Sequence, residues 1–355
     1  MDFALNELQR ELSELAAGIL GDSSGGKRLA QLEASGNRLD LPLWQLLVDS
    51  GLSAVAIAEE NSGAGLTFFE ACLVLEQLGK TVAALPLLGH TVAALALQHA
   101  GEGEFLQSLQ AKAGWLACSA RLQGNSLYWA DGRVHGRVGA VPYARGSQAM
   151  LLPARVAGEW RLCRVGSDQP GIALVAQTST ALEPQALIIC EHAEASVIGD
   201  TSLLPWLRQR LIVATCAAQI GIVDAAIAMT TRYISEREQF GVKIGSFQAV
   251  RQRMADAWID LVNLRLMSHS AAALLSERDR ADLEVLSAQV WAADAGHRVL
   301  ASCQHVHGGM GHDRDYPLWR YAVWARHCEL AQGNGSLALA QLGGVIAADP
   351  VAARL

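Results

Sequence analysis

The spacing of apolar residues in this chain changes twice, from helical intervals to short alternating or apolar runs and back to helical intervals. That order narrows the chain to folds in which a β-domain lies between two helical regions. In residues 1–112, Leu5, Leu8, Leu12 and Leu15 recur at helical spacing, Leu43, Leu46 and Leu47 indicate a second helix, and residues 69–78 a third. The run Asn61-Ser62-Gly63-Ala64-Gly65 predicts a turn, and Pro86 ends the helix containing Leu78 or lies just after it. In residues 113–200, runs such as 126–129, 133–138, 149–153, 160–165 and 181–189 are punctuated by Gly, Pro, Asp and Asn. They predict several short antiparallel strands in a small barrel or sandwich. In residues 201–355, Leu207, Leu211, Ala214, Ala218, Ile222 and Ala225 keep one apolar stripe. Val250, Met254, Leu261, Leu264 and Met267 keep another, with Ser246 a plausible N-cap, and residues 283–300 are periodic as well. The fold class is therefore mainly α with a central β-domain: an N-terminal helical domain (1–112), a middle β-domain (113–200) and a C-terminal four-helix bundle (201–355).

Composition bounds the function. With 355 residues, 51% of them hydrophobic, the chain can bury a large core and suggests two or three domains. A net charge of -7 makes nucleic acid or an anionic membrane a poor partner through bulk charge. The seven cysteines (Cys72, Cys118, Cys163, Cys190, Cys216, Cys303, Cys328) include no CxxC pair, so buried reduced thiols are expected rather than zinc or a redox couple. The first fifteen residues mix acids into the apolar pattern and lack the apolar core of a secretion signal, and no stretch reads as long and apolar enough to span a bilayer. A cytoplasmic location is the resulting expectation. His269, His297 and His327 lack metal-ligand spacing, His307 and His312 have no carboxylate or Cys to complete a shell, and Ser119 and Ser126 have no partners for a triad.

Three segments carry a resemblance. Residues 233–248 read YISEREQFGVKIGSFQ, residues 305–311 read HVHGGMG and precede Tyr316-Pro317-Leu318-Trp319-Arg320-Tyr321, and residues 57–66 read IAEENSGAGL. These resemble the Arg-x-x-Phe-Gly, Gln-Val-His-Gly-Gly-x-Gly and Pro-Glu-Glu-x-Gly-Gly-x-Gly-Leu segments of the acyl-CoA dehydrogenase family, in the same order along nearly the whole chain. The residue types suit the role that the resemblance implies. A guanidinium such as that of Arg237 can grip a diphosphate with two parallel hydrogen bonds, and Phe240 can pack on a heterocycle. Gly308 and Gly309 let backbone N–H groups approach a ligand closely. Taken without the resemblance, Arg237 reads as an ion pair with Glu236 or Glu238, and Gly308-Gly309 as an ordinary turn. In the family these segments touch the adenine and diphosphate end of an FAD held mainly by a neighbouring subunit. The resemblance thus implies cofactor contacts from Arg237, Phe240, Gln248, His305, Gly308 and Gly309.

Departures from the family pattern bear on the chemistry. Where the family has a Thr-Glu-Pro-x-x-Gly-Ser-Asp segment for its own flavin, residues 116–124 read LACSARLQG. Removal of the α proton of a thioester needs a base, usually a carboxylate with a raised pKa. Gln332, in Ala331-Gln332-Gly333-Asn334, stands where the family has Glu in Tyr-Glu-Gly-Thr, and the alternative position on the first long helix falls at or near Leu211. His305 replaces a Gln, although Gln304 is adjacent, and Asn334 replaces a Thr. No catalytic residue is assigned. The resemblance implies α,β-dehydrogenation of a CoA thioester, with this chain the non-catalytic partner of a catalytic acyl-CoA dehydrogenase subunit in a hetero-oligomer and an electron-transfer flavoprotein as reoxidant. Two alternatives stay open: a self-sufficient homo-oligomer with a base elsewhere, for which Asp313 and Asp315 are candidates, and a flavin-free acyl-CoA-binding or scaffold protein.

Overall fold

The computed structural model describes residues 4–23 and 26–349. Six helices come first: α1 (Glu7–Ser23), α2 (Gly26–Ala34), α3 (Leu41–Asp49), α4 (Phe68–Thr81), α5 (Leu87–His99) and α6 (Gly103–Ala111). Seven strands follow: β1 (Leu116–Cys118), β2 (Tyr128–Ala130), β3 (Arg133–Pro142), β4 (Ala149–Val156), β5 (Glu159–Gly166), β6 (Ile172–Thr178) and β7 (Pro184–Ile198). The rest is α7 (Leu203–Glu236), a small hairpin of β8 (Glu238–Gln239) and β9 (Val242–Lys243), then α8 (Gln248–Glu277), α9 (Asp282–His307), α10 (Leu318–Ala331) and α11 (Gly335–Ala348). The element class therefore changes in the gaps 112–115 and 199–202. Pro86 stands at the head of α5, where its fixed φ and missing N–H do no harm, rather than ending α4.

The chain packs as two compact bodies. One holds Met1–Gly26, Cys72–Ala83 and Ile212–Leu355; the other holds Lys27–Ala71 and Ala84–Leu211. In the second body the strand pairings β4–β2, β2–β3, β3–β7, β7–β5 and β5–β4 close on themselves, with β1 added to β4 and β6 to β7. Closure removes exposed edges, and the inward residues Val134, Val138, Met150, Leu152, Val165 and Ile188 form a dry interior. The expected all-antiparallel arrangement needs correction. β1 and β2 both run parallel to β4. Each parallel neighbour is separated from it in sequence by other elements, which supply the long crossover that parallel pairing needs.

In the first body α7 runs through the middle. Residues 211–223 are buried all round rather than along one stripe, so this helix is apolar on every side. It is also long and apolar enough to cross a membrane, contrary to the reading of the sequence, yet 83% of its most apolar window is buried within the fold. Glycines set its approach to α4: a Cβ at Gly79 would strike the Ala218 carbonyl oxygen, and one at Gly221 the Glu76 carbonyl oxygen. Charged groups lock the same crossing. Lys80 lies 2.9 Å from Asp224, Arg265 of α8 lies 3.4 Å from it, and the buried His269 pairs with Glu76. Of these only the Glu76–His269 pair is buried, and a buried pair of this kind penalises alternative registers more than it adds to stability. Ser246 is not the N-cap of α8. Its hydroxyl donates to the Lys243 carbonyl at 2.7 Å and closes the preceding 3-10 turn, which leaves Phe247 at the cap position.

Candidate functional site

The segment after α7 is built locally. The Arg237 N–H donates to the Tyr233 carbonyl at 2.8 Å, and its own carbonyl accepts from the Ile244 N–H at 2.9 Å, so its backbone is pinned on both sides. Glu238 pairs with Lys243 and Gln239 with Val242 across the hairpin. The two residues between the strands, Phe240 and Gly241, both have positive φ, 54° and 79°. That is the geometry of a tight two-residue hairpin turn, normally given to Asn-Gly or Gly-Gly. A phenylalanine there costs about 1 kcal/mol or more of backbone strain. Its ring gains little in return within this chain. It is 92% exposed and touches Phe247 edge-on at 6.3 Å. The Arg237 guanidinium is exposed and has no protein partner among the described residues. Its neighbour Glu238 is taken by Lys243 at 3.4 Å, so the simple ion-pair reading is not what the structure forms. Gln248, also exposed, is the first residue of α8.

The glycine turn follows α9. Gly308 takes φ 60° and ψ -137°, a conformation that only glycine adopts easily, and its N–H closes on the His305 carbonyl. A Cβ added at Gly308 or Gly309 would meet nothing within 4 Å, so the turn faces open space, and His305 is exposed beside it.

An aromatic cluster that spacing along the chain does not reveal ties the two segments together. Tyr233, on the last turns of α7, stacks on His307 with ring centroids 4.3 Å apart. The His307 Nδ1–H donates to the Cys303 carbonyl at 2.8 Å, which leaves Nε2 to accept from the Tyr316 hydroxyl at 3.0 Å. Burial holds this imidazole below its ordinary pKa, against the opposing pull of the Cys303 carbonyl. Burial raises the Tyr316 phenol, helped by Tyr233 and Glu236. His307 is thus a neutral packing residue that fixes the start of the Gly-Gly turn against the end of α7.

Gln332 lies in a different setting. It is the C-cap of α10, half-buried, and its carbonyl accepts from Gln289 Nε2 at 3.1 Å. Asn334 caps α11, with Oδ1 accepting from the Leu337 N–H at 2.9 Å. Asp313 Oδ1 accepts from the Asp315 N–H at 2.9 Å, and both residues are exposed, as a loop cap requires. The carboxylate that the sequence did not flag is Glu329, one helical turn before Gln332 and lining the same small cavity. Leu211 is buried.

In the other body, residues 116–124 keep their polar groups for themselves. The Ser119 N–H donates to the Leu151 carbonyl at 3.0 Å, its hydroxyl accepts from the Arg121 N–H at 3.2 Å, and Cys118 Sγ points at the Gly89 carbonyl at 3.4 Å. Ser119 and Ala120 are buried. All seven cysteines are free and buried, and no group of three metal-ligating side chains occurs among the described residues.

Comparison with known proteins now decides the family. Residues 6–111 match the acyl-CoA dehydrogenase N-terminal domain, and residues 209–346 match the acyl-CoA dehydrogenase C-terminal domain. The chain is 33% identical to acyl-CoA dehydrogenase FadE27 of Mycobacterium tuberculosis, over 99% of this chain and 100% of that one. This chain belongs to the acyl-CoA dehydrogenase family. Two solved structures are similar throughout. The ChsE4-ChsE5 complex from Mycobacterium tuberculosis gives TM-score 0.93 at 32% identity, covering 99% of this chain and 100% of that chain. A steroid ACAD variant, Tcur3481-Tcur3483 G363A, gives TM-score 0.92 at 31% identity, covering 97% and 99%. The fold is the one expected for the family: mostly helical, with a central barrel-like sheet.

The family binds FAD, and the two sets of residues differ in how well they suit it. The guanidinium of Arg237, without an internal partner, fits a diphosphate approaching from outside, and the Gly308–Gly309 turn, whose Gly308 N–H is bonded to the His305 carbonyl, leaves open space for it. In the stretch 116–124 the Ser119 and Arg121 N–H groups are already satisfied within the chain, so those two donors are not offered to a flavin ring.

Proposed function

We propose that this chain is the non-catalytic subunit of a hetero-oligomeric acyl-CoA dehydrogenase, completing an FAD site whose base and flavin-ring contacts come from a catalytic partner subunit. The observation that carries this reading is the contrast within one chain: the unpartnered Arg237 guanidinium, the exposed Phe240 ring and the Gly308–Gly309 turn face outward, while the base position holds Gln332. The similar ChsE4-ChsE5 structure is a complex of two named proteins, which supports a heteromer. An exposed apolar stripe on α8, formed by Trp258, Ile259, Val262 and Leu266, gives such a partner a surface to bury.

In this reading Arg237 holds the FAD diphosphate through paired N–H bonds, Phe240 packs on the adenosine end, Gln248 hydrogen-bonds there, and His305, Gly308 and Gly309 close over it. FAD, when bound, supplies the hydride acceptor for α,β-dehydrogenation of a CoA thioester. The substrate proposed is a bulky acyl-CoA such as a steroid thioester, in line with the similar steroid ACAD. An electron-transfer flavoprotein is the proposed reoxidant, and the cytoplasm the proposed location. A neutral amide at position 332 cannot take up the α proton, so this chain's own residues orient and grip rather than transfer protons.

The visible absorbance spectrum tests this, recorded on the chain alone and on the chain co-expressed with a candidate partner. The expected outcome is a colourless lone chain and a flavin band in the complex, with one flavin for each pair of unlike subunits. A yellow lone chain that bleaches on addition of an acyl-CoA would overturn the proposal in favour of a self-sufficient enzyme. A complex that stays colourless with every partner would favour the flavin-free scaffold.

A further inference from the structure

Beneath Gln332, three helices of the C-terminal body bring three oxygen acceptors to one small cavity. Gln219 of α7 is 1% exposed and Gln289 of α9 is 7% exposed. Gln219 Nε2 donates to the carbonyls of Ala292 and Ala325 at 3.3 and 3.4 Å. Gln289 Nε2 donates to the carbonyls of Gln332 and Gly333 at 3.1 and 3.2 Å. These bonds settle which way each amide points, because flipping either would set its oxygen against two carbonyl oxygens. Gln219 Oε1 and Gln289 Oε1 are consequently left buried with no donor. Glu329 of α10 supplies the third acceptor. Its Oε1 takes a hydrogen bond from Arg326, and its Oε2 is buried without a partner. All three side chains line the same cavity, which leaves about 10 Å³ for the centre of a water-sized guest.

Buried acceptors in this state need a donor or a positive charge. None of these three atoms receives a hydrogen bond from a protein donor. A single water has two hydrogens and would leave one of the three oxygens unmet. A divalent ion is disfavoured, because the cavity carries at most one negative charge and Arg326 already shares it. The remaining chemistry is a water-sized monovalent cation, held by two amide oxygens and one carboxylate oxygen. We propose that this cavity is a monovalent-cation site, of potassium or ammonium size, that cross-links α7, α9 and α10 under the residue standing at the family's base position. It lies wholly within this chain and does not depend on the heteromer.

The test is thermal unfolding of the full-length chain in potassium, rubidium, ammonium or tetramethylammonium chloride at one ionic strength, together with crystals grown in rubidium chloride. Expected is a higher midpoint in the three small cations than in the bulky one, rising with cation concentration as a bound ligand requires. Anomalous scattering should place rubidium between Gln219, Gln289 and Glu329. Glu329→Gln, which keeps the shape and an oxygen but removes the charge, should weaken cation affinity about tenfold or more. Midpoints identical in all four salts would overturn the proposal, as would a cavity in the wild-type crystal that holds water and no rubidium. The crystal result does not depend on whether the variant folds.

Discussion

Around the α7–α8 hairpin and the turn after α9, residues with strong ligand chemistry are turned outward: the Arg237 guanidinium without a partner, the Phe240 ring with one edge contact to Phe247, and the Gly308–Gly309 turn facing open space. Around Gln332, in the same body, the polar groups are turned inward and engaged with helix backbone: Gln289 holds the Gln332 and Gly333 carbonyls, Gln219 holds two more, and Asn334 caps α11. Holding helix backbone explains the amide donors of the second region, whose three buried acceptors are the ones left for a guest, and it does nothing to explain the first. A phenylalanine held at φ 54° and 92% exposed is a cost to the lone chain. Residues that cost stability and satisfy nothing internally indicate an external partner. At the position where the family has its base, the Gln332 backbone carbonyl is held by Gln289 of α9, which suits the structural role proposed for that position.

The comparison is broken most severely at Arg237. With a partner subunit and FAD, Arg237→Ala is expected to weaken FAD affinity about 10- to 100-fold, the loss of a charge-assisted bidentate contact. The thermal midpoint of the lone chain should not move, since the guanidinium has no internal contact. Flavin titration of the complex and thermal unfolding of the chain check the two halves separately. Unchanged affinity would remove Arg237 from the site.

Phe240→Gly separates the two roles further, because they should change in opposite directions. Glycine relieves the positive φ, so the lone chain should gain about 1 kcal/mol of stability, offset in part by the larger entropy of the unfolded chain. FAD retention by the complex should fall at the same time. A variant that is destabilised alone would show that Phe240 serves the fold of this chain after all.

How far these features were legible in the sequence depends on the distance over which each is determined. The order of helix, strand and helix follows from local periodicity, and the Arg237–Phe240 hairpin and the Gly308 turn are set by residues next to one another. The parallel pairing of β1 and β2 with β4 is not local, and short apolar runs carry no direction. Ser246 has the chemistry of an N-cap, yet a 3-10 turn one residue earlier competed for its hydroxyl and won. In the sequence Glu329 is simply an acid three residues after Arg326, the spacing of an ordinary i, i+3 ion pair. Its second oxygen becomes unusual only when Gln219 and Gln289, on two other helices, enclose it. His307 lacks metal-ligand partners in the sequence, and its packing between Tyr233 and Tyr316 depends on residues of other segments.

That aromatic cluster should respond to acid. The His307 pKa is lowered in the fold, so the native state holds fewer protons there than the unfolded chain does. Its contribution to stability is therefore complete above the unfolded value of about 6.5 and is lost as pH falls through that value toward the lower folded one. Protonation would also remove the acceptor that the Tyr316 hydroxyl uses. The thermal midpoint should drop between pH 7 and pH 5 by more in wild type than in Tyr316→Phe, in which that acceptor is already unused. Equal slopes would mean that another group carries the acid response.

The smallest expected effect falls at the base position itself. Gln332→Glu restores the residue type that the family uses, beside the Glu329 side chain one turn earlier on α10. Like charges at this spacing on a partly exposed helix end cost a few tenths of a kcal/mol, and the Gln332 carbonyl that Gln289 holds is backbone and unaffected. The chain should remain folded and gain no acyl-CoA dehydrogenase activity, alone or with added FAD. On the proposed reading the flavin-ring contacts come from the partner subunit, and in this chain the Ser119 and Arg121 N–H groups are committed internally. A carboxylate without a neighbouring acceptor for the hydride has nothing to drive the proton's departure. Turnover appearing from this single change would show that the chain holds flavin by itself, and the division between an outward-facing, ligand-gripping region and an inward-facing, structural one would have to be redrawn.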